Sequence, residues 1–568
     1  MVYRIKEKFW SCGNDFTTTD DKGINQFFID GKAFSWGDQL SFREKTMIRI
    51  LKTAVCLLIP LAMSSVIHAT EKPNIVIIMV DDMGFSDIGC YGGEIETPHL
   101  DALARNGLRF TQFYNTGRCC PTRAALLTGL YQHQAGVGHM TGNQGHPSYQ
   151  GFLNDRCVTI AEALRPAGYY TAVSGKWHVG SKPGQRPRQR GFDRFYGIPQ
   201  GGGHHYRMLP GRELVVDDTA IDIPEGWYTT TAFTDYAVRF IEEGVMADKP
   251  VFLYLAYTAP HWPLQAPEEV TAKFLGRYRQ GWQPHREARF ERQMEMGMFP
   301  RGTQLAPLDP KTPQWESIED KLEMDLRMAL HAAMVHMIDE GVGRVVAKLE
   351  ELGALDTTLI LFLTDNGASA EGGPLGFVRS ERGDPTAKTG TPESYVSFGI
   401  AGANMCDTPF RKYKMYTHEG GIATPLVAHW PKGIPARLNG TFAHEVGHVI
   451  DLLPTCLDLA STPYPSQFKG KGLIPVAGKS LVPALRGASM GERELYFEHQ
   501  GNAAARIGPW KIVRAHGKPW ELYDLAADRT ELNDLSNQHP EKLAELKAKW
   551  WKWAQDCGVR PWPIKKKP

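Results

Sequence analysis

The chain has 568 residues, of which 42% are hydrophobic, and its formal net charge is +1 at pH 7. A nearly neutral chain of this length is typical of a globular protein with one large and one smaller domain, and it lacks the strong positive charge expected of a nucleic-acid-binding protein. The nine cysteines are an odd number scattered along the chain, which argues against a disulfide framework.

A targeting signal is predicted at residues 47–69, MIRILKTAVCLLIPLAMSSVIHA. It combines basic Arg49 and Lys52, an apolar run from Ala54 to Met63 and a small-residue stretch that ends at Ala69. This pattern is typical of a secretory signal peptide and predicts export to the periplasm or the medium. The alternative interpretation of this apolar run is a buried hydrophobic helix. The run is shorter than the ~20 residues of a membrane-spanning helix, so we expect no stable membrane anchor.

Residues 1–46 show no sustained helix or strand period. Because a signal peptide acts from the N-terminus, we hypothesise that translation starts at Met47 and that residues 1–46 are an extension foreign to the natural protein.

Helix and strand patterns alternate after the signal, which is typical of an α/β fold. Continuous apolar runs predict strands buried on both faces of a parallel sheet at Lys72–Asp82, Pro250–His261 and Thr357–Gly367. Helical patterns include PHLDALARNG, VTIAEALRPAG, TDYAVRFIEEG and a long amphipathic helix from about Glu319 to Leu352. Before this long helix, residues 276–315 are rich in Arg, Met and Pro and are interpreted as an excursion from the α/β alternation.

The pattern changes near residue 486. ELYFEH, AAARIGPWKIVRA and WELYDL predict short antiparallel strands, and a terminal helix is predicted from about Pro540 to Ala554. The sequence therefore predicts a catalytic domain at residues 72–485, with a large mixed, mainly parallel sheet between helices, and a small C-terminal α+β subdomain at residues 486–568.

Polar side chains follow several of the predicted strands. Asp81 and Asp82 end one strand, Asp365 and Asn366 end a second, and His261 ends a third, while the stretch GKWH with Lys176 and His178 follows a fourth. Ligands bind beyond the carboxyl ends of parallel strands, so we expect these residues to share one crevice. Carboxylate and amide oxygens suit calcium or magnesium. The alternative for a single Asp is a helix cap.

The stretch GRCCPTRAALLTG, residues 117–129, resembles the sulfatase signature, in which a cysteine, a variable residue, a proline, a variable residue and an arginine precede a small-residue helix. The resemblance continues in VDDMGFSDIGCYGG, SGKWHVG, APHWP, TDNG, KMYTHEGG and WELYDL, in the family's order. It implies the fold of alkaline phosphatase and, by its spacing, selects Cys119 as the motif cysteine. Cys120 takes the variable position as a buried thiol, and Thr122 stands where many members have serine.

The resemblance also implies the chemistry. Cys119 would be oxidised to formylglycine by a formylglycine-generating enzyme, and one hydroxyl of the hydrated aldehyde would attack sulfur while the second expels sulfate. One calcium ion, with magnesium as the alternative, would be held by Asp81, Asp82, Asp365, Asn366 and the modified Cys119.

Five further residues match catalytic positions of the family. Arg123 would hold the hydrated formylglycine, and Lys176 and Lys414 would bind sulfate oxygens. His178 would be the base that deprotonates the second hydroxyl, and His261 would be the acid that protonates the leaving oxygen. Lys412 remains an alternative to Lys414.

Two motifs point elsewhere. HEVGH, residues 444–448, fits a zinc protease pattern, but such histidines lie within a helix and Gly447 stands where the predicted helix only begins. QGGGHHY, residues 200–206, lacks the lysine and spacing of a phosphate-binding loop, so we interpret it as a flexible loop beside the substrate.

The sequence therefore predicts an exported sulfatase that acts on aryl or carbohydrate sulfates. The alternatives are a phosphatase or phosphonate monoester hydrolase on the same scaffold, and a non-catalytic protein that binds sulfated glycans with Cys119 unoxidised. Substrate identity and oligomeric state stay open.

Overall fold

The computed structural model describes residues 26–29, 32–35 and 72–565. The first two ranges are strands β1 (Gln26–Ile29) and β2 (Lys32–Ser35), which pair antiparallel with Phe27 opposite Phe34. This hairpin could not be predicted from the sequence, because strands of four residues are too short to show a period. The predicted signal peptide, residues 47–69, lies outside the described residues.

The main sheet of the described region has eleven strands in the order β12-β4-β11-β10-β3-β9-β5-β6-β7-β8, with β13 paired to β4. The five strands β10, β3, β9, β5 and β6 are mutually parallel, whereas β11 is antiparallel to its neighbours β10 and β4. The predicted mixed, mainly parallel sheet is thus confirmed. Its strands are β3 (Asn74–Asp81), β4 (Leu108–Tyr114), β5 (Tyr170–Lys176), β6 (Arg194–Ile198), β7 (Leu214–Val216), β8 (Thr219–Ile221), β9 (Val251–Pro260), β10 (Thr358–Thr364), β11 (Ala423–His429), β12 (Thr441–Ala443) and β13 (Gly447–His448).

Both faces of the central strands are covered, which explains their continuous apolar sequence. Along β9, Leu253 and Leu255 belong to one hydrophobic core, and the intervening Tyr254 belongs to the other. Successive side chains of a strand point to opposite faces, so each face needs apolar residues. Phe233 of one helix packs into the first core and Leu126 of another packs into the second.

The described α-helices mostly follow the predicted periodic segments. They are α1 (Pro98–Arg105), α2 (Cys119–Thr128), α3 (Ile160–Leu164), α4 (Thr229–Met246), α5 (Glu268–Thr271), α6 (Trp282–Glu295), α7 (Lys321–Glu351), α8 (Gly399–Cys406), α9 (Glu419–Ile422), α10 (Leu452–Leu459), α11 (Val482–Leu485) and α12 (Pro540–Cys557). Among these described helices, none has the length and apolar character needed to cross a membrane. Short 3₁₀ turns lie at Gly89–Tyr91, Arg165–Ala167, Pro187–Arg190, Trp315–Ser317, Leu355–Thr357, Ala436–Leu438 and Val449–Asp451.

The predicted C-terminal antiparallel sheet is confirmed. It contains β16 (Glu494–His499), β17 (Asn502–Ile507), β18 (Trp510–Arg514) and β19 (Glu521–Asp524) in sequential order, and α12 packs on β17 and β18. A separate two-stranded ribbon is formed by β14 (Gln467–Phe468) and β15 (Lys471–Gly472). Residues from Lys72 onward form one compact unit, so the small sheet packs closely on the large domain.

Candidate active site

The carboxyl ends of four adjacent parallel strands bring the predicted polar residues together. Strands β10, β3, β9 and β5 are neighbours in the sheet, and they end at Thr364, Asp81, Pro260 and Lys176. Their following residues therefore meet at one edge, as the sequence analysis predicted. Two of the residues there, Asp82 and His178, have left-handed backbone conformations, with φ of 68° and 62°. Such strain in non-glycine residues concentrates at functional sites.

The predicted metal-binding oxygens form one buried cluster. Asn366 donates from Nδ2 to Oδ1 of Asp82 at 2.7 Å, and the backbone N–H of Asp82 donates to Oδ1 of Asp365 at 3.3 Å. Oδ1 of Asp81 and Oδ1 of Asn366 are buried and have no hydrogen-bond partner among the described residues. Buried oxygens are normally satisfied, so two orphaned acceptors in a carboxylate cluster fit a hard cation such as calcium.

Three basic side chains offset the charge of these carboxylates. Arg123 Nη2 lies 2.7 Å from Asp365 Oδ2, Lys176 Nζ lies 2.6 Å from Asp81 Oδ2, and Lys414 Nζ lies 2.7 Å from Asp82 Oδ1. Burial lowers the pKa of Lys414, but Asp82 and Glu371 outweigh it and raise that pKa. Burial and the charge of Asp81 hold the pKa of Asp365 well above its usual range.

The structure distinguishes Lys414 from its neighbour. Lys412 Nζ lies 2.9 Å from Oδ2 of Asp309, away from the cluster, whereas Lys414 contacts Asp82 directly. The geometry therefore favours the assignment of Lys414, which spacing alone left open.

Cys119 is the first residue of α2, where a helix N-terminus favours negative charge. A sulfur of Cys119, a sulfur of Cys120 and a ring nitrogen of His178 lie within 4.8 Å of one another. A hydrogen bond with Cys120 lowers the pKa of the Cys119 thiol, burial opposes this, and Lys176 lowers it further, so the pKa lies well below its usual range. Burial instead raises the pKa of Cys120 well above its usual range.

The two predicted catalytic histidines have different surroundings. Burial and then the charge of Lys176 lower the pKa of His178 to about 4, which keeps its ring neutral at pH 7. Nδ1 of His261 lies 2.6 Å from the backbone oxygen of Trp262, so this nitrogen carries a proton. Nε2 of His261 lies 3.4 Å from Oδ2 of Asp82. The His261 side chain is 12% exposed, which leaves it partly open to an incoming molecule.

Glu371 joins three parts of the site and was missed by the sequence analysis. Its carboxylate lies 3.1 Å from Arg118 Nη1 and 3.7 Å from Lys414 Nζ, and it accepts a hydrogen bond from Trp262 Nε1 at 2.7 Å. Glu371 thus links the turn before Cys119, the residue after His261 and a site lysine. No recognisable motif surrounds it, so only the structure reveals it.

Asp407, also missed, holds two of the strand ends in place. Its buried carboxylate accepts hydrogen bonds from the backbone N–H groups of Phe85 and Ala368, at 3.3 and 3.1 Å. These residues follow the Asp81–Asp82 and Asp365–Asn366 pairs in sequence. Asp407 therefore fixes the two carboxylate-bearing loops relative to each other.

The zinc protease reading of HEVGH is excluded by the backbone. Residues 441–443 and 447–448 are strands, and helix α10 begins only at Leu452. His444 Nδ1 lies 2.9 Å from Thr111 Oγ1, while His448 Nδ1 accepts from the N–H of Ile450 at 3.1 Å. The two histidines therefore have separate structural partners.

The QGGGHHY loop borders the site, but it is buried. A Cβ on Gly201 would lie 2.8 Å from the His178 ring, and one on Gly202 would lie 3.9 Å from Oδ2 of Asp81. His205 Nε2 lies 2.9 Å from the backbone oxygen of His261. The loop therefore packs against both predicted catalytic histidines, and its glycines allow that close approach.

Comparison with known proteins agrees with this geometry. Residues 73–462 match the family model described as Sulfatase, and residues 410–556 match the model described as N-sulphoglucosamine sulphohydrolase, C-terminal. An uncharacterised sulfatase of Schizosaccharomyces pombe is 33% identical over 536 residues, covering 86% of this chain and 95% of the relative. An arylsulfatase of Klebsiella aerogenes is 32% identical over 452 residues, covering 76% of this chain and 96% of that relative.

Among solved structures, the crystal structure of Ps i-CgsB in complex with k-i-k-neocarrahexaose superposes with a TM-score of 0.64. It is 27% identical, and the match covers 86% of this chain and 93% of that chain.

Proposed function

The chain belongs to the sulfatase family and is a sulfuric ester hydrolase, and on this premise we propose that it uses a formylglycine derived from Cys119 and one bound calcium ion. The observation that carries this proposal is the position of Cys119. It begins a helix beside His178, in a site where a buried oxygen cluster lies at the strand ends and three basic side chains pair with it.

When formed, formylglycine supplies a hydrated aldehyde whose hydroxyl is the nucleophile toward sulfur. The chain's own residues prepare this position. The helix N-terminus favours negative charge there, and Arg123 Nη1, within 3.3 Å of the Lys176 backbone oxygen and 3.2 Å of Tyr254 Oη, is held rigidly. His178, with a ring nitrogen within 4.8 Å of the Cys119 sulfur, accepts the proton of the second hydroxyl as the base.

The residues Asp81, Asp82, Asp365 and Asn366 would hold calcium, together with the oxygen that replaces sulfur at residue 119. A bound calcium supplies a Lewis acid that polarises a sulfate oxygen. Two observations support the fit: all four side chains supply oxygen, and two of these oxygens are buried without a partner among the described residues. Magnesium would use the same oxygens.

Lys176 and Lys414 bind the sulfate oxygens and offset the charge of the transition state. His261 donates a proton to the leaving oxygen from Nε2. Because Nδ1 already donates to the Trp262 backbone oxygen, Nε2, which lies 3.4 Å from Oδ2 of Asp82, is the nitrogen left to act on the leaving oxygen.

We further propose that the substrate is a sulfated glycan or an aryl sulfate. A complex of a 27% identical structural relative with neocarrahexaose supports a carbohydrate substrate. A formylglycine-generating enzyme is the expected maturation partner. The signal predicted at residues 47–69 supports export to the periplasm or the medium.

The test is discrimination between esters on one preparation with confirmed formylglycine. We expect kcat/KM for 4-nitrophenyl sulfate to exceed that for 4-nitrophenyl phosphate and 4-nitrophenyl phenylphosphonate, because kcat/KM measures competition between substrates. A higher value for either phosphorus ester would support the phosphatase or phosphonate hydrolase alternative instead.

A further inference from the structure

A cavity of about 950 Å³ lies on the C-terminal subdomain. Its lining includes Arg514 and His516 from the end of β18, Trp550 and Trp551 from α12, and Arg560 and Trp562 from the segment after that helix. Ligand pockets in proteins have volumes of roughly 300–1,000 Å³, so this cavity is large enough for a bound molecule. We call these six residues the tryptophan groove.

The groove presents an exposed tryptophan to solvent and holds others around it. Trp551 is 53% exposed, and it belongs to a small set of large hydrophobic side chains that are exposed in the described chain. The guanidinium carbon of Arg514 lies 4.7 Å from the ring centre of Trp520, 5.6 Å from that of Trp550 and 5.8 Å from that of Trp551. Flat aromatic faces pack well against the apolar faces of sugar rings.

The groove also carries positive charge that the described residues leave unpaired. Neither Arg514 nor Arg560 has a carboxylate within 4.0 Å among the residues the structure describes. Nε of Arg514 is buried and has no described hydrogen-bond partner. Lys552 is neutralised by Asp556 at 2.7 Å.

The acidic residue of the cavity wall, Glu498, is already satisfied. Its Oε2 lies 2.8 Å from His133 Nε2, and its Oε1 accepts from the backbone N–H of Gly501 at 2.8 Å. The groove is therefore aromatic and cationic, which matches a sugar that carries negative charge.

The Trp562 end of the groove lies near the turn that precedes Cys119. The ring centre of Trp562 is 4.9 Å from that of His139, and the next residue, Met140, contacts Arg118 with Sδ 3.4 Å from Nε. Arg118 directly precedes Cys119. A small aryl ester at Cys119 would not extend this far, whereas a saccharide chain could occupy both places.

We propose that the tryptophan groove binds a sugar unit of a sulfated polysaccharide at a distance from the ester being hydrolysed. The part that the groove plays in turnover rests on the proposed function, whereas binding of a sugar unit in the groove does not require hydrolysis of the ester. The groove thus selects a polymeric, multiply sulfated substrate over a small sulfate ester.

The binding test uses the full chain with Cys119→Ala, so that turnover cannot consume the probe. Affinity gel electrophoresis is run with heparin, chondroitin sulfate, λ-carrageenan and fucoidan, and with unsulfated dextran as the neutral probe. Trp551→Ala and Arg560→Ala are added to this background. Leu322→Ala, at a side chain 65% exposed on α7, and Arg301→Ala, at another exposed arginine, are the matched controls.

We expect at least one sulfated polysaccharide, and not dextran, to retard the Cys119→Ala protein. Trp551→Ala and Arg560→Ala should each weaken that retardation about fivefold or more, as loss of a stacked ring or an unpaired cation implies. Leu322→Ala and Arg301→Ala should not. Absence of retardation by all four sulfated probes, or equal retardation of groove and control variants, would overturn the proposal.

Turnover is measured separately with Cys119 intact. Trp551→Ala and Arg560→Ala should hydrolyse 4-nitrophenyl sulfate at the wild-type kcat/KM, because the small ester does not reach the groove. If the wild-type protein turns over no sulfate ester but the groove variants still lose polysaccharide binding, the proposed function fails and the groove proposal stands. A loss of 4-nitrophenyl sulfate turnover in the groove variants alone would count against a site separate from the catalytic centre.

Discussion

The ammonium group of Lys414 lies 2.7 Å from Oδ1 of Asp82, while that of Lys412, two residues earlier, lies 2.9 Å from Oδ2 of Asp309. Lys414→Ala should lower kcat/KM for 4-nitrophenyl sulfate about 100-fold or more, because it removes a positive charge that faces the reacting sulfate. Lys412→Ala is the matched control and should keep most activity, with a modest loss of thermal stability from the unpaired Asp309. Comparable losses of kcat/KM in both variants would contradict the assignment.

His261 and His178 should respond differently to the leaving group. His261→Ala should slow an alkyl sulfate at least about 10-fold more than 4-nitrophenyl sulfate, because a nitrophenolate leaves without protonation. His178→Ala should instead let the first half-reaction proceed and trap sulfate on the formylglycine, because the second hydroxyl loses its base. The measurements are kcat/KM for both esters with each variant and peptide mass spectrometry for sulfate retained at residue 119 of His178→Ala. A larger leaving-group dependence for His178→Ala would reverse the two roles.

Calcium binding should depend on Asp365 and not on Asp356, which is exposed near the opposite end of the same strand. Asp365→Ala removes one oxygen ligand and leaves Arg123 without its partner, so metal content and activity should both fall sharply. Elemental analysis should find about one calcium per chain in the wild type and in Asp356→Ala, since the described ligands form one such cluster. Stoichiometric zinc, or calcium retained by Asp365→Ala, would contradict the calcium site.

The interface with the C-terminal sheet should lose stability in acid through Glu419. This buried carboxylate lies 2.8 Å from Lys511 Nζ and also pairs with Arg529. Burial raises its pKa, but Arg529 and Lys511 outweigh burial and lower it from 4.5 to about 2. Because the folded pKa is lower, the contribution to stability is complete above about pH 4.5 and is lost as the pH falls toward 2.

Chemical denaturation between pH 2.5 and pH 7 tests this linkage. Glu419→Gln should be least stable relative to wild type at pH 7, and the difference should shrink as the pH falls below about 4.5. Glu541→Gln, at an exposed glutamate of α12, should show no such convergence. A stability difference for Glu419→Gln that stays constant with pH would contradict the depressed pKa.

Much of the fold could be predicted because the central strands are apolar on both faces, as in β3 and β10. Helix α6 was not predicted within residues 276–315. Its buried face includes Arg286, Arg289 and Gln293. Arg289 pairs with Asp87 at 2.8 Å, and Arg286 donates to the backbone oxygen of Ala306 at 2.6 Å. A helix that buries paired charges has no apolar stripe, so periodicity cannot reveal it.

The candidate site also contains some residues that could be predicted from the sequence and others that could not. The strand-end carboxylates could be predicted because their position in an α/β sheet depends on local sequence. Glu371 and Asp407 could not, since each acts through contacts between residues distant in sequence. Spacing also could not choose between Lys412 and Lys414, because both lie in an irregular loop where side-chain direction follows no period.

The central claim is that Cys119 provides the nucleophile after conversion to formylglycine. Peptide mass spectrometry across residues 117–123 of active protein measures this directly, with Cys120→Ala as the control that keeps the motif cysteine. We expect an aldehyde at residue 119 in wild type and in Cys120→Ala, a free thiol at Cys120 in wild type, and sulfatase activity that rises in proportion to the aldehyde fraction. Full sulfatase activity in protein whose Cys119 is entirely an unmodified thiol would contradict the account.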